Sequence, residues 1–78
     1  MNAEVGSRIV CTLQKRNYGE FGFVRFIGSI TGACGTFLGI EFDNPVGEHD
    51  GSRNSIQYFQ CEQKHGLFLQ PQYAKVVL

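Results

Sequence analysis

Gly47-Glu48-His49-Asp50-Gly51 gathers one imidazole, two carboxylates and two glycines into five consecutive positions. Glycines at both ends let the backbone turn sharply and leave N–H groups open to a ligand, as an anion-binding concavity requires. His49 beside Asp50 reads either as a pH-sensitive pair or as a turn in which the imidazole takes a local hydrogen bond. Catalysis fits poorly. Cys, His and Asp are present, but no nucleophile elbow, paired carboxylate or metal-binding triplet can be read. The glycine-rich stretch Gly28–Gly35 lacks the lysine and the following helix of a phosphate-binding loop. Cys61 and His65 are four apart, and two ligands do not close a metal site. The loop therefore points to binding rather than to an enzyme, and calls for no metal or cofactor.

The elements around the loop are β-rich. Upstream lies Phe37-Leu38-Gly39-Ile40-Glu41-Phe42, closed by the turn signal Asp43-Asn44-Pro45, and downstream come Tyr58-Phe59-Gln60-Cys61 and Gly66-Leu67-Phe68. No window carries helical apolar spacing over three turns, and ten glycines punctuate the chain. Alternation places Ile9, Cys11 and Leu13 on one face, Val24 and Phe26 on one face, and Leu38, Ile40 and Phe42 on one face. Shorter strands are expected over Ile56–Cys61, Leu67–Leu69 and Ala74–Val77. The fold class is all-β: a small, strongly twisted antiparallel barrel or sandwich of about six short strands with glycine-rich loops. Bending is expected near Gly22 and Gly39, where side chains are missing. Residues 6–78 read as one unit and residues 1–5 as a frayed end.

Two phenylalanines fall out of phase with their strands. Phe37 shares a face with Glu41, and Phe68 lies with Gln70 rather than with Leu67 and Leu69. In so small a fold they either pack beneath loops or form a shallow aromatic groove beside the glycine loop, suited to an apolar or aromatic side chain.

Composition narrows the partners. A chain of 78 residues is one small domain or a piece of a larger protein, and its seven Phe and three Tyr suit a compact core. Seven basic and seven acidic residues balance, which argues against a general nucleic-acid or membrane-surface binder. Arg8, Lys15, Arg16 and Arg25 are nevertheless grouped early, and Glu41, Asp43, Glu48 and Asp50 later, a polarity that either orients a partner or decorates two solvated faces. No secretory signal and no membrane-spanning apolar run is legible. Cys11, Cys34 and Cys61 cannot all pair within one chain, so free thiols in a reducing compartment are expected, at least one of them in the core.

The pattern resembles the CAP-Gly family, the glycine-rich module of cytoskeleton-associated proteins. The matching blocks are Gly22-Phe23-Val24-Arg25-Phe26-Ile27-Gly28, Gly35 to Asp43, Gly47 to Ser52, Tyr58 to Cys61, and His65-Gly66-Leu67-Phe68. The resemblance implies a small twisted barrel of SH3-like kind and a peptide-binding role toward acidic, aromatic-ended C-termini of the Glu-Glu-Tyr type, as on α-tubulin. It places Phe37 at the family's groove tryptophan, Phe68 at its second groove aromatic, and Gly47–Gly51 at the signature Gly-Lys-Asn-Asp-Gly loop. His49 then stands at the asparagine that contacts the ligand carboxylate, and Tyr58 and Phe59 match an aromatic pair that is either core or contact. The implied ligand-binding residues are Phe37, Gly47, Glu48, His49, Asp50, Gly51, Phe68 and Gln70.

Several departures bear on that implication. Glu48 replaces the signature lysine, Gln70 an arginine of some members, Gly32 an aromatic of some, and Ser55 a common glycine. They lead to the expectation of weaker tail binding, a different ligand, or a diverged scaffold domain that does not use acidic tails. Protonated His49 is expected to restore some positive charge in mild acid. Leu38 to Pro45 with His49 to Ser52 look most like the branch carried by a tubulin-folding chaperone, implying a cytoplasmic, cytoskeleton-associated protein with further domains.

Overall fold

A computed structural model describes residues 3–77 of the chain. Among them run seven strands: β1 (Arg8–Cys11), β2 (Phe21–Gly28), β3 (Phe37–Phe42), β4 (Ser52–Arg53), β5 (Ile56–Gln57), β6 (Gly66–Leu69) and β7 (Ala74–Val76). One 3₁₀ turn, Pro71–Tyr73, precedes β7. Five strands form an antiparallel sheet in the order β6-β3-β2-β1-β7, and β4 and β5 make a separate hairpin. The all-β expectation holds, with seven strands in place of six.

Alternation along the strands divides the sheet into two faces. Ile9 and Cys11 of β1, Val24 of β2, Leu38, Ile40 and Phe42 of β3, and Leu67 and Leu69 of β6 form one buried cluster. Leu13, Val46, Tyr73, Ala74 and Val76 pack against it. Both edge strands, β6 and β7, therefore contribute to a single core, which requires the sheet to curl around it. Each fully buried Leu or Ile there contributes about 1.5–3 kcal/mol. Cys11 is the core thiol, Cys34 is exposed, and Cys61 is half-buried. Ala3 also joins the cluster, and the turn after it is closed by Glu4 N–H to Ser7 Oγ and by Ser7 N–H to Glu4 O, both at 2.9 Å. The packed unit thus takes in residues ahead of Gly6, where the sequence reading began it; Met1 and Asn2 lie outside the described residues.

The opposite face is set by a β-bulge. Val24 pairs with Ile40, but Phe26 pairs with Gly39, so Arg25 is the extra residue. The phase of β2 shifts there. Phe26 leaves the face of Val24, where simple alternation puts it, and joins Gly39 on the outer face. Gly39 pairs on its other side with Phe68. The two charge groups also meet on this face. Arg8 holds Asp43 and Arg25 holds Glu41 at 2.9 Å, while both guanidiniums stack on Phe23 at 4.5 and 4.9 Å from its centroid. The early basic and later acidic residues are thus partly cross-strand partners, not two separate faces.

The strand expected over Ile56–Cys61 is confined to Ile56–Gln57, because its partner β4 is only two residues long and the next N–H groups, of Tyr58 and Phe59, both turn onto Gly51 O. Asn54 and Ser55, the two residues between β4 and β5, have φ of 51° and 66°. Positive φ at both positions marks a type I′ turn, which favours Asn-Gly. Asn54 suits it, but Ser55 carries a Cβ into the left-handed region at a cost of roughly 1 kcal/mol. Replacing Ser55 with Gly is expected to stabilise the domain by about 0.5–1 kcal/mol in urea denaturation. A fall in the midpoint would show that the serine is not strained.

Candidate functional site

The Gly47–Gly51 loop is stitched to the residues leading into β6. Gly47 N–H donates to Lys64 O at 2.6 Å, Glu48 and His49 N–H both donate to Gly66 O at 2.7 and 3.2 Å, and Gly66 N–H returns to His49 O at 2.8 Å. Glycine is needed at both contact points. A Cβ on Gly47 would lie 2.5 Å from Gly66 O, and one on Gly66 would lie 2.8 Å from His49 Nδ1. Gly51, at φ +99°, accepts from Tyr58 and Phe59 N–H, and a Cβ there would sit 2.0 Å from Phe59 O. Gly51 is thus fixed both by its dihedral and by the chain folded against it.

These bonds correct one expectation. The N–H groups of Gly47, Glu48, His49 and Gly51, expected to stand open to a ligand, are all used inside the protein. Gly51 N–H donates to His49 Nδ1 at 2.9 Å. The imidazole therefore carries its proton on Nε2, which is buried and has no hydrogen-bond partner among the described residues. Asp50 accepts from Ser52 N–H at 3.2 Å and Ser52 Oγ–H at 2.6 Å, and its carboxyl is held below the ordinary range chiefly by that hydroxyl. Burial holds His49 below its ordinary value, over the opposing pull of Glu48 and Asp50 and with Arg53 adding to it. The local turn bond, not a pair with Asp50, is what His49 makes. A positive His49 in mild acid is therefore opposed by both burial and the Gly51 bond.

Over the outer face of β3 lies an aromatic cluster. The Phe68 ring is 4.7 Å from the His49 ring, 5.4 Å from Tyr58, 5.8 Å from Phe59 and 6.3 Å from Phe26. Only the His49 contact approaches stacking, at 31°; the other three are edge-on, a favourable geometry for ring quadrupoles. Phe26 and Tyr58 are 5.2 Å apart. Phe59 is the buried member and lies on Gly39, where a Cβ would come within 2.5 Å of its ring. Phe68 and Tyr58 remain half-exposed. Tyr58 Oη accepts from Thr31 N–H at 2.8 Å and donates to Thr31 Oγ1 at 3.0 Å, tying the β2–β3 connection to the cluster. Among the described residues there is no enclosed pocket, so the site is a surface shelf.

The sequence-derived residues fall into three positions. His49 and Phe68 are in ring contact, with Gly47, Asp50 and Gly51 shaping the loop that holds His49. Phe37 begins β3 opposite Gly28, half-buried on the face of Gly39 but outside the ring contacts of Phe68. Gln70 is exposed just beyond β6, and Glu48 is exposed on the loop. Phe26 was missed because the bulge at Arg25 moves it, and period-2 reading carries no sign of a bulge. Cys61 and His65 point elsewhere. Cys61 Sγ faces His49 O at 3.9 Å, and its thiol is pushed up to about 11, mainly by burial. His65 Nδ1 donates to Phe42 O at 2.8 Å.

Residues 5–74 match the model of the CAP-Gly domain family. The chain is 44% identical over 66 residues to human CAP-Gly domain-containing linker protein 3, covering 85% of this chain and 11% of that protein. It is 40% identical over 70 residues to Dictyostelium discoideum tubulin-specific chaperone B, covering 87% and 26%, and 38% identical over 76 residues to Danio rerio tubulin-specific chaperone E, covering 95% and 13%. The chain thus spans about a quarter or less of these relatives. Linker and chaperone proteins are both among them. In structure it is similar to the CAP-Gly domain of human kinesin-like protein KIF13B, with TM-score 0.80, 31% identity and coverage of 95% and 69%. It is also similar to the Bik1 CAP-Gly domain with ETF peptide from Bim1, with TM-score 0.74, 31% identity and coverage of 88% and 78%. With its glycine loop, its outer-face aromatics and nearly its whole length accounted for in this way, the chain belongs to the CAP-Gly domain family.

Proposed function

We propose that this domain binds the C-terminal end of a partner chain that carries an aromatic residue preceded by acids, as on the tail of α-tubulin. The observation that carries the reading is Phe68, a half-exposed ring flanked by Phe26 and Tyr58 and lying against His49, whose Nε2–H has no partner among the described residues. An aromatic side chain extends that cluster edge-on, and a terminal carboxylate oxygen satisfies the orphan donor. Phe37, on the same sheet face, and Gln70, beyond β6, border the shelf. The Bik1 domain with its ETF peptide supports a related ligand chemistry, an aromatic with an acid two positions before it. The chaperone relatives support tubulin as the partner, and cytoplasmic, cytoskeleton-associated work within a longer protein as the setting.

A second reading, a scaffold domain that ignores acidic tails, is favoured by one observation: Glu48 places a negative charge on the exposed loop. The same experiment separates the two. In an NMR titration with a peptide ending in Glu-Glu-Tyr, resonances of Phe37, His49 and Phe68 are expected to shift, and removal of the Tyr to abolish the shifts. Silence of these residues at millimolar peptide would favour the scaffold reading.

Glu48→Lys is expected to tighten binding roughly tenfold, the effect of ~1–2 kcal/mol of reversed electrostatics. An unchanged affinity would show that the loop does not face the acids.

Acid is expected to act against the site. Because the folded domain holds His49 below its ordinary value, the unfolded chain takes up that proton first. Stability contributed by neutral His49 is full above the ordinary imidazole value of about 6.5 and declines as pH falls from there toward the lower folded value. Urea midpoints should therefore drop between about pH 7.5 and 5.5, and His49→Gln should shrink that drop. An equal drop in the variant would assign it to other groups.

A further inference from the structure

The cations of this chain differ in what already occupies them. Arg8 and Arg25 are each held by a carboxylate and by the Phe23 ring. Arg16 donates to Gly47 O at 3.1 Å from the turn after β1. Lys75 lies on β7, the sheet edge opposite β6. Arg53 stands apart. It is exposed on the β4–β5 hairpin, its Nε donates to Thr31 O at 3.2 Å, and among the described residues it makes no ion pair. Thr31 is also the residue whose N–H and hydroxyl hold Tyr58 Oη. One backbone position therefore ties the guanidinium to the rim of the aromatic cluster.

Its placement is electrostatically felt there. Arg53 acts on both His49 and Tyr58, the two polar-tipped rings of the cluster. The neighbouring acids are differently engaged. Asp50 is bound by Ser52, Glu41 by Arg25, and Glu48 is exposed on the arm of the loop held by Gly66. An acidic ligand is thus repelled at Glu48 and attracted on the hairpin beyond Gly51.

We propose that Arg53 is a specificity-determining residue of this site, its guanidinium receiving the side-chain carboxylate that precedes the terminal aromatic of the bound peptide. The assignment rests on the reading under Proposed function and adds a direction to it: the acidic residue next to the terminal aromatic lies on the Thr31–Arg53 rim. Arginine suits the task, since holding Thr31 through Nε leaves the terminal nitrogens for a carboxylate.

The test uses two peptides ending in Tyr, one with Glu-Glu and one with Gln-Gln before it, titrated calorimetrically into the unsubstituted domain and into Arg53→Gln, Arg53→Lys and Lys75→Gln. Arg53→Gln should weaken the Glu-Glu peptide about threefold at low ionic strength, with a much smaller effect in about 0.5 M salt. It should leave the Gln-Gln peptide unchanged, while Arg53→Lys keeps most of the affinity and Lys75→Gln has no effect. Equal loss for both peptides, or a loss no larger than that of Lys75→Gln, overturns the assignment while the aromatic site stands. Failure of the unsubstituted domain to bind either peptide overturns the site itself, and the assignment with it.

Discussion

The ring of Phe59 resting on Gly39 is the contact on which the outer half of the molecule depends. Central strand β3 could present a side chain to both sides, but at Gly39 one side is bare. Phe59 fills that space, with its ring lying where a Cβ would otherwise clash. Seating Phe59 brings its N–H and that of Tyr58 onto Gly51 O, and that close approach leaves no room for a side chain on Gly51. Gly51 in turn donates to His49 Nδ1, which fixes the tautomer and turns the ring against Phe68. One missing side chain in a central strand thus organises a loop twelve positions away. The family's glycines are close-approach positions here as much as hinges.

Electrostatics on the same sheet face follow from register. Arg8 of β1, Phe23 and Arg25 of β2, and Glu41 and Asp43 of β3 and the turn after it form a stack of cations, ring and carboxylates. Exposed pairs of this kind contribute little stability, usually below about 1 kcal/mol each. Their larger effect is to silence charge. With two arginines neutralised on this face, Glu48 and Arg53 remain as exposed charges that act on His49. The two have opposite sign and sit on different elements, Glu48 on the Gly47–Gly51 loop and Arg53 on the β4–β5 hairpin.

Much of the fold was legible because buried strands obey a strict period of two. Ile9 and Cys11, Leu38, Ile40 and Phe42, and Leu67 and Leu69 alternate without interruption, and all are core. Phe68 was readable as outward for the same reason. The failures occur where the period breaks. The extra residue at Arg25 moved Phe26 onto the outer face, and the convergence of Tyr58 and Phe59 N–H on Gly51 O ended the strand expected through Cys61. The loop was located correctly but its chemistry was not. Glycine content signals that a backbone can be exposed, whereas pairing with Gly66 depends on a strand distant in sequence. Arg53 gave no signal, because an exposed arginine in a polar stretch looks like any other until Thr31 and Tyr58 are placed beside it.

On the proposed function the Phe68 shelf, and not another exposed aromatic surface, receives the end of a partner chain. The most direct measurement is the set of intermolecular nuclear Overhauser effects from the terminal aromatic ring of a bound acidic peptide. Contacts are expected from that ring to Phe68, Tyr58 and Phe26, with the chain end near the His49 ring. Contacts instead to Phe21, Phe23 and the Arg8 stem would place the ligand on the cation-stacked part of the sheet and contradict it.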